Sequence, residues 1–494
     1  MAEYLHGAYG NINAVGAEVS DKSQTAIVYI GTAPVNQVEE AGEGFNVNTP
    51  LVVNNIAEAR KYLGYSDNWG TYTLCEAMYM HFVKNTVGPI VLINVLDPEK
   101  HAYENGNTYH LTPSNGRVVI PSGDTIIMDS ITVKAGSKTF SKYEDYEAVY
   151  NFDKKTVTIK ERKAGALGTE QLTIEYKCID PNKVSAEDVI GAATEIGKNT
   201  GVNVIQDVYT KTGYIPAFIA APGFSSIPEV HKALSKNSLK INGHWDAFMF
   251  TDLPIVSGEE TLTFEKAYEY KVANGYCCEN EKVCYPMVEC DDFKTYHLSV
   301  IAAANFQKLL KENDGIPFHS SSNTEIAGAV NLYLGNDYSD RTYGDSIVNE
   351  YLNKNGIASA AYMGGRWALW GAHCADYDQN NSSETNMSET TRMMLYYISN
   401  DFQVRRMQDV DRPMTVNDLK TIASEEQARL DALINIGSLT YGTVSLDAVS
   451  TDESDVLNGD YSFTFNITTT PLAKSLTAVV NWTNEGFKSY FEEE

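Results

Sequence analysis

Residues 215–237 read IPAFIAAPGFSSIPEVHKALSKN. An unbroken apolar run, Ile215–Ala221, meets a Pro222-Gly223 turn and passes into a helix over Ile227–Asn237. A strand that is apolar at every position, rather than at alternate ones, is covered on both faces. The same unit recurs twice downstream. A strand over Trp245–Leu253 precedes a helix over Leu262–Ala273. A strand over Val283–Cys290 precedes a helix over Tyr296–Asn313, with Leu298, Ile301, Ala302, Asn305 and Leu309 on one face. Three consecutive strand–helix units predict a largely parallel sheet with right-handed connections. Pro286 lies inside the third strand and predicts an edge position for it, because proline donates nothing to a ladder.

The same layer begins nearer the N-terminus. Ala26–Ile30 (AIVYI) reads as a strand closed by Gly31 and Pro34, and Asn55 caps a helix Ile56–Leu63 that stops at Gly64. A helix over Thr73–Asn85 gathers Leu74, Ala77, Met78, His81 and Phe82 on one face, and Pro89 leads into a strand Ile90–Leu96. The preceding stretch Gly7–Ser23, with Gly7, Gly10 and Gly16, has too little apolar mass to bury itself and reads as an extended arm.

From Asp97 to Asn182 the pattern changes to short alternating strands between turn residues: Arg117–Pro121, Thr125–Ala135, Lys155–Glu161 and Glu170–Cys178. That spacing predicts a small β-barrel or sandwich, inserted into the parent layer because both flanks are α/β. Ser185-Ala-Glu-Asp188 opens a helix to about Lys198. Beyond Ser388 come a helix Ser388–Gln408, a break at Asp411-Arg412-Pro413, and a second helix from Thr415 to Gly437 that buries Leu419, Ile422, Ala423, Leu430, Leu433 and Ile434. Strands Tyr461–Thr468 and Ser475–Thr483 close the chain, joined through Pro471–Lys474. The fold class is therefore α/β: a parent domain (24–96 and 183–387) carrying an inserted all-β domain (97–182), preceded by an arm (1–23) and followed by an α+β C-terminal domain (388–494).

The balance of 38 basic against 65 acidic residues, net −27 over 494 residues, repels phosphate backbones and anionic bilayers, so neither nucleic acid nor membrane is an expected partner. The longest apolar run, Ile90–Leu96, is far short of a membrane span, and Met1–His6 has no basic or apolar region of a signal peptide. The seven cysteines are thus expected as reduced thiols in a cytoplasmic product. Thirty-one tyrosines, tolerant of both burial and water, suit extensive protein–protein contact.

Cys277-Cys278, Cys284 and Cys290 fit no zinc-ribbon spacing and read as packed side chains. His373 and Asp376 have no nucleophile elbow beside them, Gly364-Gly365-Arg366 lacks the Lys-Ser/Thr of a phosphate loop, and Gly335–Asp340 lacks the glycine and distal glutamate of a calcium loop. No metal, cofactor or enzyme activity is expected on these grounds. The competing reading is a cytoplasmic α/β enzyme or ligand-binding protein that uses the carboxyl ends of the parallel strands, near Ala221-Pro222-Gly223 and Leu253-Pro254.

Ala26-Ile-Val-Tyr-Ile-Gly-Thr-Ala-Pro34, followed by Asn48-Thr-Pro50 and the Ile56–Gly64 helix, resembles the start of contractile-tail sheath proteins. These occur in contractile bacteriophage tails and in related bacteriocins. Gly364-Gly365-Arg366 through Leu369-Trp370-Gly371-Ala372 resembles the family's Gly-Gly…Trp-Gly-Ala-Arg segment, with His373 where arginine is usual. Tyr397-Ile398, Val404-Arg405-Arg406 and Val410–Thr415 resemble the helix pair of the family's C-terminal domain, and the strands around Thr470-Pro471 and Lys474-Ser475-Leu476 fit it too. Residues 97–182 match in position only.

The resemblance implies a structural subunit of a virion tail or contractile bacteriocin particle, assembled in the bacterial host cytoplasm. Such subunits stack as hexameric rings around an inner tube and contract on a baseplate signal, driving the tube through a cell envelope. The implied partners are further copies of the chain, the inner tail tube protein, and baseplate and tail terminator proteins. Strand exchange between subunits would fall on Tyr9, Ile12, Val15 and Val19 of the arm and on Leu476, Ala478, Val480 and Trp482. The inner-tube contact would fall on Lys420, Glu425, Glu426, Arg429 and Asp431, the charged outer face of the Thr415–Gly437 helix, with the inserted domain facing outward.

Overall fold

The computed structural model describes residues 24–38, 45–121, 123–194, 198–335, 344–378, 387–446 and 459–490. The arm with Tyr9, Ile12, Val15 and Val19, and residues 336–340 of the Gly335–Asp340 loop, lie outside them. The chain forms two compact units that meet at Arg412 and Pro413.

An eight-stranded sheet organises the first unit. Its strands are β1 (Thr25–Gly31), β2 (Pro50–Val53), β3 (Ile90–Asn94), β4 (Ile215–Ala220), β5 (Phe248–Asp252), β6 (Glu281–Cys284), β7 (Ile357–Met363) and β8 (Arg366–Trp370). In space they run β2-β3-β1-β4-β5-β6-β7-β8. The six from β3 to β7 are parallel, and β2 and β8 pair antiparallel at the two edges. Every residue of β3, β4 and β5 is buried, which is why they run apolar without alternation up to Asn94 in β3 and Thr251-Asp252 in β5.

Local chemistry sets the element ends. Asn55 accepts from the Glu58 N–H at 2.9 Å and starts the helix Ile56–Leu63. The Thr73–Asn85 run is α-helical to Tyr79 and then makes a π-helical turn, Met80–Lys84. Ser185 and Asp188 form a capping box, yet the helix stops at Ile190 rather than near Lys198. Gly191, at φ +61, turns the chain so tightly that a Cβ there would stand 2.0 Å from the Thr200 carbonyl oxygen.

The Val283–Cys290 stretch is two strands, not one at an edge. β6 ends at Cys284 inside the main sheet, and Met287–Cys290 joins a separate antiparallel sheet with Thr295–Tyr296 and Ala329–Tyr333. Pro286, without an N–H, stands at the changeover. Gly364-Gly365 is the two-residue turn of the β7–β8 hairpin, and both residues have the positive φ that a type I′ turn requires.

Within residues 97–182 two antiparallel sheets pack on one core. One orders Asn107–Leu111, Leu172–Tyr176, Thr132–Ala135 and Lys138–Phe140; the other orders Arg117–Ile120, Thr156–Glu161 and Tyr146–Asn151. Their shared core, including Val118, Val133, Ile159 and Ile174, is separate from that of the eight-stranded sheet. The Thr125–Ala135 stretch becomes strand only at Thr132, after a 3₁₀ turn at Met128–Ser130. The segment enters and leaves side by side: Tyr103 N–H donates to Cys178 at 2.9 Å and Asp180 N–H to His101 at 2.6 Å.

The second unit contains the helix Val416–Asn435, opened by a Thr415/Asp418 capping box, and two antiparallel strands, β9 (Leu439–Leu446) and β10 (Phe463–Thr469). The expected pairing of Tyr461–Thr468 with Ser475–Thr483 is not made. β10 pairs with β9, and 475–483 carries no strand. β9 packs on the helix because Gly442 has no side chain: a Cβ there would stand 3.0 Å from Leu430 Cδ1. The Gln427 amide binds β9 as well, donating to Gly442 O and accepting from Val444 N–H.

Candidate functional site

Two places could carry function: the crevice at the carboxyl ends of the parallel strands, and the surface of the second unit. The chain runs from β1 outward to β3 on one side and returns to β4 on the other, which makes the β1/β4 ends the switch point where α/β sheets commonly bind ligands. Here that point is filled. Thr73 sits between the strand ends: a Cβ on Gly31 would stand 2.2 Å from its Oγ1, and one on Gly223 would stand 2.8 Å from its Cγ2. Thr73 Oγ1 accepts from Thr32 N–H, and Thr32 Oγ1 accepts from Thr73 N–H. The glycines serve helix-to-strand packing, not a phosphate.

Beside Thr73 lies a buried polar knot. The Glu76 carboxylate accepts from His297 N–H at 2.6 Å and faces His297 Nδ1 at 2.7 Å. Asp252, at the end of β5, accepts from the Ser299 N–H at 3.0 Å and from its hydroxyl. Two carboxylates therefore meet the first turn of the helix Leu298–Glu312, satisfying its free N–H groups. Burial pushes the Asp252 carboxyl up. Burial alone would lower the His297 imidazole, but the charge and hydrogen bond of Glu76, with Asp252 behind them, outweigh it and raise the group to about 9.

A histidine raised above its unfolded value of about 6.5 stabilises fully below that pH and loses the contribution as pH rises through its folded value. Unfolding followed from about pH 6 to about pH 10 is expected to show that loss, and His297→Gln to flatten it. Equal pH slopes in the two proteins would remove His297 from the account.

A second buried charge pair ties the helix Glu389–Arg406 to the sheet. Lys282 Nζ, in β6, lies 2.6 Å from Glu389 Oε2 with both side chains fully buried, and donates to Gly371 O at 2.7 Å. The other carboxylate oxygen accepts from Ser320 Oγ and Ser321 N–H. Sequence inspection finds neither pair: Lys282 sits beside Glu281 at the start of a short strand and Glu389 opens a helix far downstream, and nothing local links them.

The surface of the second unit is different in kind. Leu476, Val480 and Trp482 are 90%, 91% and 81% exposed, and Ala478 is exposed with them. The four C-terminal residues among the eight expected to exchange thus lie together on an exposed segment that forms no ladder with the described residues of its own chain. Of the five residues expected at the inner tube, Lys420, Glu425 and Asp431 are exposed and Arg429 is half-buried. Glu426 is not on that outer face. It is buried, in line with Leu419, Ile422, Leu430 and Leu433, because steps of three and four residues keep to one side of a helix. Among the described residues no helix is long and apolar enough to cross a membrane.

No protein-family model matches the chain. It is 22% identical over 502 residues to the tail sheath protein of Burkholderia phage BcepMu, covering 98% of both proteins. It is 22% identical over 367 residues to the major tail sheath protein of Serratia phage KSP20, covering 73% of this chain and 84% of that one. Its fold is similar to the anti-feeding prophage (AFP) helical sheath in the contracted state, with TM-score 0.55 at 12% identity, covering 98% of this chain and 100% of that one. It is also similar to the PVC sheath complex of an extracellular contractile injection system, in the contracted state, with TM-score 0.54 at 11% identity over 98% and 99% of the two chains. The chain is similar along its length to phage tail sheath proteins, and its fold is similar to the sheaths of contractile injection systems.

Proposed function

We propose that this chain is the structural subunit of a contractile tail sheath, acting through its interfaces and not through an active site. It polymerises as stacked hexameric rings around an inner tube and contracts by rigid-body rearrangement of packed units, driving the tube through a cell envelope. The observation that carries the reading is the exposed apolar segment Leu476–Trp482, unpaired within the described chain and following a sheet of only two strands. The helix covers β9, but the two strands still leave open ladder edges among the described residues, and an added strand supplies both backbone partners and apolar cover. Tyr9, Ile12, Val15 and Val19 of the arm are proposed as the second exchanging set. Lys420, Glu425, Arg429 and Asp431 are proposed to face the inner tube. Baseplate and terminator proteins complete the particle, which assembles in the host cytoplasm.

Electron micrographs of the purified chain test this reading. Hollow helical tubes are expected without nucleotide or cofactor, in moderate salt, because a net charge of −27 per subunit opposes assembly until screening shortens the repulsion to about 8–10 Å. Discrete small particles at high protein concentration would overturn it.

The β insertion is proposed to face outward, away from the tube, and to be separable. Its two ends leave the parent at the Ala102–Ile179 bridge, so replacing Tyr103–Cys178 with a short Gly/Ser linker closes the gap without strain. Buried Asn36 loses its two acceptors, Asp124 O and Ile126 O, at a cost of about 1–3 kcal/mol. The remainder is expected to keep one cooperative melting transition. Loss of that transition would make the insertion integral to the parent fold.

A further inference from the structure

A ring nitrogen of His231, the sulfur of Cys278 and a carboxylate oxygen of Glu281 lie within 4.8 Å of one another. His231 is on the helix Pro228–Lys236, and Glu281 is the first residue of β6; both are buried, while Cys278 reaches partly to solvent. Cys278 and Glu281 come off one turn with two residues between them, the spacing by which paired ligands commonly leave a single turn in zinc sites. The turn folds Glu281 back so that its Oε2 accepts from the Cys278 N–H at 3.3 Å. The third donor arrives from a helix far upstream, so inspection of the Cys277-Cys278, Cys284, Cys290 group in sequence finds no histidine near it.

Neighbours hold the three donors in place. His231 stacks on Tyr276 at 3.9 Å, Thr251 Oγ1 donates to Glu281 Oε1, and Ser235 Oγ lies 3.2 Å from Cys278 Sγ. Such outer hydrogen bonds orient metal ligands and raise their affinity. One imidazole, one thiolate and one carboxylate suit a borderline-soft divalent ion, whereas calcium and magnesium take oxygen alone. A thiolate and a carboxylate also cancel a double positive charge, leaving the buried site neutral.

We propose that His231, Cys278 and Glu281 bind one zinc-class divalent ion, which staples the Pro228–Lys236 helix to β6 and the turn before it. His231 Nε2 and Glu281 Oε1 stand 2.8 Å apart, at hydrogen-bond distance. Around a tetrahedral zinc, with bonds of about 2.0–2.3 Å, donors stand about 3.3–3.7 Å apart. The ion is taken by Nε2 of the neutral imidazole, whose ring proton is then carried on Nδ1, and the Cys278 thiol gives its one proton to solvent, while the His231–Glu281 pair opens by about half an ångström. The fourth position is left for water, which the partial exposure of Cys278 admits.

Cobalt(II) is the probe. Titrated into the chelator-treated full chain, it is expected to produce a thiolate-to-cobalt charge-transfer absorption that saturates at one ion per chain and is displaced by Zn²⁺. Zn²⁺ is expected to raise the melting temperature of the wild type. Cys278→Ser should lose both effects, while Cys277→Ser, at an exposed position outside the cluster, keeps them. No thiolate absorption at saturating cobalt would overturn the site, and so would an absorption that survives Cys278→Ser. The wild-type titration decides the matter even where a variant fails to fold.

Discussion

Removal of residues 475–494 is expected to abolish tube formation and to leave a folded subunit. The segment contributes nothing to the described core: Leu476, Val480 and Trp482 are almost wholly exposed, and among the described residues no strand pairs with it. Its loss should therefore leave the melting behaviour and helix content of the subunit unchanged. On exchange, burying those three side chains is worth on the order of 5–9 kcal/mol per junction before ordering costs, with ladder hydrogen bonds in addition. A lattice that repeats this junction at every subunit magnifies the effect to all or none. Val480→Pro is the sharper form, since it removes one ladder donor at mid-segment and forbids a central strand. Thr477→Ser, which keeps the backbone and most of the side chain, should assemble almost normally. Micrographs and sedimentation read both. A truncated chain that still forms ordinary tubes would end the strand-exchange reading for this segment. Loss of the whole fold would place 475–494 in the subunit's own core.

Lys282→Met is expected to destabilise the first unit by about 3–5 kcal/mol, because it leaves the Glu389 carboxylate buried without its cation. The loss is larger than that of an exposed ion pair since neither group touches water in the native state. Gly371 O also loses its donor. Adding Glu389→Gln should recover part of the deficit: a neutral amide still accepts from Ser320 and Ser321 and no longer needs a counter-charge. Urea unfolding of the two variants reads the difference. A loss below about 1 kcal/mol in Lys282→Met would show that water or another cation reaches Glu389. The pair holds the first turn of the Glu389–Arg406 helix to the sheet, so its strength bears on how firmly that helix is anchored.

Much of the fold is legible locally. Ala26–Ile30, Ile90–Ile93 and Ile215–Ala220 are apolar at consecutive positions because both faces of a central parallel strand are covered. The caps are legible for an equally local reason. Asn55, Ser185 and Thr415 each stand three residues before the group they bond, within one helical turn. The C-terminal segment proposed to exchange shows in sequence as alternating apolar residues beyond a proline, whereas in the structure residues 475–482 are exposed throughout.

What the sequence by itself determined is thus the set of elements, the parallel α/β class of the first unit and the presence of an apolar C-terminal segment without a local partner. Each depends on neighbours within a few residues, where periodicity and capping act. The tertiary structure decided which surfaces meet. β10 pairs with β9 rather than with 475–483, and Gly442 lets β9 lie against Leu430 on the helix. Glu426 turns inward although its charge reads as surface, since helical geometry places it in line with Ile422 and Leu430 whatever its polarity. Pro286 ends a strand inside the main sheet because the chain can pass there into a second sheet with its own partners. The strand-end crevice is closed by Thr73, and Lys282 finds Glu389, across separations that no local pattern encodes. Pairing of edges, burial of charge and filling of a crevice depend on what arrives from far along the chain, and folding alone brings those groups together.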